Sequence, residues 1–322
     1  MRALPLVLTT TLLAGCISGG DPDPQTTAVD PATLCVASAC GVKTQLLDIP
    51  SAENTLFTPT GRLFVSGSDS VYEVTKDSSG WHATSLATTK ANFTGLAQRG
   101  NVIYAAAFDG NLYAARLNDK PPAFKAIHAL GMSSANGMAT GPDGELYIVN
   151  GPLGASIPAP KIIRLRFGSD PMKVTEQIDW LTSNLYFPNG LQRRGNTLVV
   201  SDSDVLNVAI GAVKSIEIKS DGSAGTPQLI GSFPSLPDEI GLVGDSSVLA
   251  AFYSNGQIGL IDASGTLVSQ TDLLSFENPS SVKLGQAPMF ERGDLLVTEK
   301  GLIVLPPIPG YGSKLSVFQR KP

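Results

Sequence analysis

Histidine and cysteine are scarce in this chain: of 322 residues, 2 are His and 3 are Cys. So thin a supply makes a Cys/His zinc centre a poor expectation. Basic residues are not in excess either. Lys and Arg number 23 against 28 Asp and Glu, a formal net charge of −5, so a long basic nucleic-acid surface is not expected. The apolar run at residues 4–13 is too short to span a bilayer as a permanent anchor. Segments that read as helices are few. What the chain does have is 42% hydrophobic residues, enough for a large core. It also has 33 Gly and 23 Pro, which points to many short strands joined by tight turns.

The first residues read as a targeting segment and are set apart from the fold. Arg2 precedes the apolar run, and Leu13-Ala14-Gly15-Cys16 follows it. This resembles the lipobox of bacterial lipoproteins; the alternative is an ordinary secretory signal with a chance cysteine. The resemblance implies that residues 1–15 are removed and that Cys16 is lipidated as the new N-terminus. Export and tethering to the cell envelope follow, through lipid alone and without a membrane span. Ile17 is not the aspartate associated with inner-membrane retention, so the outer-membrane or periplasmic side is expected if the cell is Gram-negative. Residues 18–33 are rich in Gly, Pro, Asp and Thr and read as a flexible spacer. Cys35 and Cys40, close together in an exported chain, are expected to form a small disulfide loop, with two free thiols as the alternative. Residues 16–42 are thus linker and 43–322 the folded domain.

From residue 43 one phrase recurs six times: a polar head residue, a short apolar run, a tight turn, and a β-rich run. The heads are Glu53, Thr94, Asn136, Asn189, Asp238 and Ser280. A period of roughly 40–50 residues is that of propeller blades. Each copy supplies three strands. A fourth β-prone run lies between copies, at 82–88, 124–130, 174–180, 227–233 and 267–274. The sixth copy lacks its fourth strand, and residues 44–49 are available to supply it. The expected fold is an all-β six-bladed β-propeller, with the ring closed by an N-terminal strand that completes the last blade. A β-sandwich is the alternative architecture.

The inner strand of a blade lines the central channel, so the six heads converge at one mouth. The expected ring holds two carboxylates, two amides, two hydroxyls and nothing basic. Two crowded carboxylates raise each other's pKa, and a bound cation relieves that. Oxygen ligands without Cys or His favour Ca²⁺ or another hard divalent cation. Each head residue alone is ordinary turn chemistry; together they occupy one phase of the repeat.

Ala135-Asn136-Gly137-Met138, Pro188-Asn189-Gly190-Leu191 and Pro237-Asp238, with the early Glu53, resemble the senescence-marker-protein/gluconolactonase (regucalcin-like) family over about residues 44–320. The resemblance implies one catalytic divalent metal, usually calcium, with Glu53, Asn189 and Asp238 as ligands. Asn136 matches a further position that is a ligand in some members and a substrate or water contact in others. Asp238 is the ligand placed by analogy to double as general base. There are departures. Ser133-Ser134-Ala135 stands where such members often carry an arginine, and Asp238-Glu239 stands where Asp-Gly is usual. His82 and His128 fall on outer strands rather than in the channel.

The second strand of each blade returns to the same mouth, which makes Phe108, Asn150, Asp202, Tyr253 and Glu299 candidate pocket walls, with Asp109, Ser203 and Lys300 beside them. The loops at this mouth, 151–160, 204–211 and 301–312, are long and carry apolar residues, which suggests a partly apolar small-molecule substrate or a lid, with packing among the loops themselves as the alternative. The expected function is hydrolysis of a lactone or related ester by a monomer. Two alternatives stay open. One is a non-catalytic, envelope-anchored binding or scaffold propeller whose calcium is structural. The other is a strictosidine-synthase-like condensing enzyme, for which Glu299 is a loose candidate.

Overall fold

The computed structural model describes residues 29–87, 89–151, 159–204, 210–303 and 308–322. The first strand, β1 (Gly41–Asp48), belongs to the last blade. Blade one is β2 (Thr55–Phe57), β3 (Leu63–Ser66), β4 (Val71–Asp77) and β5 (Gly80–Ser85). Blade two is β6 (Phe93–Arg99), β7 (Val102–Ala107), β8 (Asn111–Arg116) and β9 (Lys125–Ala129). Blade three is β10 (Ala135–Thr140), β11 (Leu146–Asn150), β12 (Lys161–Phe167) and β13 (Val174–Leu181). Blade four is β14 (Pro188–Arg194), β15 (Thr197–Asp204), β16 (Ile210–Glu217) and β17 (Gln228–Phe233). Blade five is β18 (Pro237–Val243), β19 (Ser247–Phe252), β20 (Gln257–Ile261) and β21 (Leu267–Gln270). Blade six is β22 (Pro279–Leu284), β23 (Leu295–Glu299) and β24 (Lys314–Arg320), completed by β1.

The inner strands contact one another in the cycle β2, β6, β10, β14, β18, β22 and back to β2. The protein is therefore a six-bladed β-propeller. β1 runs antiparallel to β24, from Gly41 opposite Arg320 to Asp48 opposite Lys314. The N- and C-terminal strands thus share a blade and leave no open seam in the ring.

Burial explains why these segments are strands. Every residue of β7, β11, β19 and β23 is buried, as befits strands covered on both faces by neighbouring blades. The outer strand β21 alternates between half-buried and exposed residues, as does β13 up to its buried end at Trp180 and Leu181, because one face meets water. The core is divided among the blade interfaces. Phe64, Leu56, Leu96 and Ile103 pack between blades one and two. Ile49, Phe57, Val65, Leu296 and Leu315 pack between blades six and one. Each such side chain contributes about 1.5–3 kcal/mol on burial, so the interfaces hold the ring together.

The N-terminal segment differs from the expected spacer over its last residues. Val29 and Val36 insert into the cluster between blades five and six. Pro31–Thr33 forms one 3-10 turn, capped by the Asp30 carboxylate. An apolar side chain with a buried place to go docks rather than staying solvated. Cys35 and Cys40 are joined as a disulfide just before β1. Cys16, the signal segment and most of the spacer lie outside the described residues. Among the described residues, no helix is long and apolar enough to cross a membrane.

Candidate functional site

The channel mouth is built by a repeated irregularity. In the ladders β6–β7, β10–β11, β14–β15 and β18–β19 the register shifts between Phe93 and Leu96, Ala135 and Met138, Pro188 and Leu191, and Pro237 and Ile240. The head residue and its successor sit inside that break in each case. A bulge next to a site frees the side chain from the pleat and re-aims it. Glu53 lies just before β2, with its backbone N–H bonded to the Ser66 carbonyl at 2.8 Å.

The six expected heads divide into two kinds. The Thr94 hydroxyl donates to the Ala135 carbonyl and the Ser280 hydroxyl to the Ala52 carbonyl, each at 2.8 Å. Both are fully buried latches onto the next blade, not groups open to a ligand. Glu53, Asn136 and Asp238 are buried, and Asn189 is half-buried. Asn189 and Glu53 both lie close enough to act on the Asp238 carboxyl, the amide in one direction and the Glu53 charge in the other. Burial first, and the Glu53 charge second, hold the Asp238 carboxyl well above the ordinary carboxylate range; Lys300 and Asn189 oppose that rise.

The expectation that nothing basic enters this ring is corrected. Lys300 bonds the Glu53 carboxylate directly. It follows immediately after β23, whose last residue, Glu299, is committed elsewhere. Glu299 accepts from Lys43 at 3.1 Å, the Glu277 N–H at 2.6 Å and the Ser316 hydroxyl at 2.5 Å. Residues along a strand alternate in direction. With Glu299 held within its blade, Lys300 is delivered to the channel.

The other candidate walls also divide. The Lys300 ammonium lies 5.7 Å from the centre of the half-buried Phe108 ring. Tyr253 donates to the Gly301 carbonyl at 2.8 Å. Burial, and then the charges of Asp238 and Glu53, push its phenol well above the ordinary range, which places it beside the ring. Asn150 donates to the Ala159 carbonyl at 2.9 Å and so ties down the base of its loop. Asp202 is not an open wall. It accepts from the Tyr186 and Phe187 N–H groups at 3.0 and 2.8 Å and from Lys214 at 2.6 Å, fully buried. Asp202 and Glu299 are both spent on structural bonds, so neither is free to stand in for Asp238 as a base. On outer strands, the exposed His82 pairs with Asp77 and the half-buried His128 with Gln177. Of the apolar loop residues, Ile210, Ile303 and Ile308 are exposed. Leu153, Ile157, Val205, Leu206, Val208, Val304 and Leu305 lie outside the described residues.

Below the mouth lies a second polar layer that the repeat pattern did not reveal. Glu239 accepts from the Asn54 amide at 2.7 Å, and from the Leu191 N–H and the Gln192 amide at 3.1 Å each. Its partner, Lys283, stands 3.7 Å away and donates to the Ile240 carbonyl at 2.5 Å. Burial drives the Glu239 carboxyl up and the Lys283 ammonium down, and their mutual attraction opposes both shifts. The side chain at Glu239 replaces the glycine of the usual phrase and braces blades one, four and five across the channel. A lysine within an innermost strand was the available signal for such a counter-charge.

The fit to a hard cation is testable on these atoms. Among the described residues no three His, Cys, Asp or Glu side chains converge; the mouth offers two carboxylates and amide oxygens instead. The Asn189 Oδ1 atom is buried and has no hydrogen-bond partner. A buried acceptor left unmatched is costly. With Glu53 and Asp238 beside it, this oxygen-only set fits Ca²⁺ or a similar ion.

Solved structures of the same fold are numerous. A gluconolactonase from Xanthomonas campestris superposes with a TM-score of 0.64 at 16% identity, over 87% of this chain and 90% of its own. A calcium-binding protein, regucalcin, from Agrobacterium tumefaciens gives 0.64 at 14% identity, over 86% and 91%. A luciferin-regenerating enzyme gives 0.62 at 14% identity, over 87% and 95%. No protein-family profile and no curated protein matches the chain. The six-bladed fold is shared with these proteins, and it is the fold that the sequence resemblance implies.

Proposed function

We propose that this propeller is a metal-dependent hydrolase of a lactone or related ester, tethered at the cell envelope through Cys16. The observation that carries the reading is the unpartnered, buried Asn189 Oδ1 beside Glu53 and Asp238. Glu53, Asn189 and Asp238, with Asn136, are the residues that would hold the ion. Bound there, calcium would supply Lewis-acid polarisation of an ester carbonyl and stabilisation of the developing oxyanion. Asp238 would take the proton from the attacking water. Phe108 and Tyr253 would present ring faces to an apolar part of the substrate. The likeness to a gluconolactonase and to a calcium-binding regucalcin supports the class of reaction and the choice of ion.

The test is a panel of lactones and aryl esters, assayed with and without a chelator. Hydrolysis should vanish on chelation and return with calcium. Asn189→Ala should weaken calcium binding, and Asp238→Asn should lower kcat by about 100-fold or more, the scale of a lost general base. If Asp238→Ala leaves calcium binding and hydrolysis unchanged, the assignment fails. A second reading is a binding or scaffold propeller that performs no chemistry; the Lys300–Glu53 bond, which leaves Glu53 engaged within the protein, is the observation on its side. Bound calcium with no turnover on any member of the panel would select it.

A further inference from the structure

We propose that the Lys300 ammonium is the resident cation of the ring, and that a hard divalent ion enters the mouth by displacing it from Glu53. The inference rests on the reading that this ring takes such an ion. Lys300 and Glu53 are bonded to one another with side chains only 13% and 5% exposed. The ring is thereby half served. Its charge is partly neutralised, yet Asn189 Oδ1 still has no partner. An ammonium has three donors and one charge, whereas Ca²⁺ takes 6–8 oxygens at once. An ion drawing on Glu53, Asp238 and the Asn189 oxygen would complete what Lys300 leaves unmatched.

The two cations exclude each other. Glu53 and Asp238 together carry at most two negative charges, and a divalent ion beside a retained ammonium would leave the pocket with excess positive charge. The backbone around Lys300 is fixed: its N–H bonds the Asn278 carbonyl at 3.1 Å, and the Tyr253 hydroxyl holds the Gly301 carbonyl at 2.8 Å. Displacement is therefore a swing of the flexible side chain alone. The Phe108 ring, already 5.7 Å from the ammonium, offers the released cation a face. Lys300 thus sets how much free ion the mouth needs before it fills.

Calcium titration calorimetry of the full chain tests this with Lys300→Met and with the double variant Glu53→Gln/Lys300→Met. Lys300→Met should bind calcium at least about tenfold tighter than the native chain, a normal size for coupling between competing ligands. Its melting temperature should also rise more on adding calcium. The double variant should lose the gain. Binding by Lys300→Met with none by the native chain supports the proposal in its strongest form. Equal or weaker binding by a folded Lys300→Met overturns it while leaving the metal reading intact. No binding by either chain overturns both. A second measurement needs no variant. Amine acetylation of the native chain, followed by peptide mass spectrometry, should show Lys300 modified faster once calcium is added; an unchanged rate contradicts displacement.

Discussion

Glycine after the polar head is what lets neighbouring inner strands close on the channel. Gly137 follows Asn136, and a Cβ there would stand 2.3 Å from the Asn189 carbonyl oxygen and 2.6 Å from the Leu191 nitrogen. Both are backbone atoms and cannot rotate away. Gly137→Ala should therefore push β14 outward, cost about 1–3 kcal/mol as overpacking does, and weaken calcium binding through the displaced Asn189. Urea unfolding and calorimetry would measure the two effects; a variant of native stability would show that the strands can part freely. Gly190 serves the same end beside blade five, where a Cβ would meet the Glu239 Cα at 2.7 Å. Asn189 and Asp238 were legible in the sequence because they share a phase of the repeat. The Glu239–Lys283 pair was not, since its members sit at different phases and meet only where the inner strands of blades five and six lie side by side.

At the scale of strands and loops, hydroxyls on second strands hold the heads in place. Ser66 donates to the Thr94 carbonyl and Ser201 to the Asp238 carbonyl at 2.5 Å each, and Thr298 donates to the Glu53 carbonyl at 2.8 Å. The loop that follows Lys300 is tied at its base by Glu277, which accepts from the Gly312 N–H and from Lys314 at 2.6 Å. Burial alone would raise the Glu277 pKa; the Lys314 bond, the Gly312 N–H and the charges of Lys314 and Lys43 outweigh it and leave the carboxyl below its usual range. A depressed folded pKa adds stability that is present above the unfolded value, about 4.3 for Glu. That stability is lost as pH falls through the folded value. Glu277→Gln should thus flatten the acid limb of stability, read as urea midpoints at a series of acidic pH values. An unaltered slope would remove Glu277 from the account. Strand order and number were legible from the period, whereas the register breaks that aim the heads depend on pairing with the next strand.

For the whole molecule, closure by β1 against β24 joins the two ends of the chain in one blade, and Val29 docks beside blades five and six. A lipid on Cys16 would then hold the ring near the membrane by the short segment before Val29. Cys16→Ser should move the protein from the membrane fraction to the soluble fraction in fractionated cells; retention would refute the tether. The repeat of polar head, apolar run and turn, read along the chain, determined the all-β ring, its six blades and its shared terminal blade, because strand period and turn chemistry are local properties. Only the tertiary structure decided which heads face the channel freely, which are latches, and that Lys300 and Glu239 stand among them. Those choices depend on charges and carbonyls contributed by other blades, far away in sequence and brought within hydrogen-bonding distance only when the ring closes.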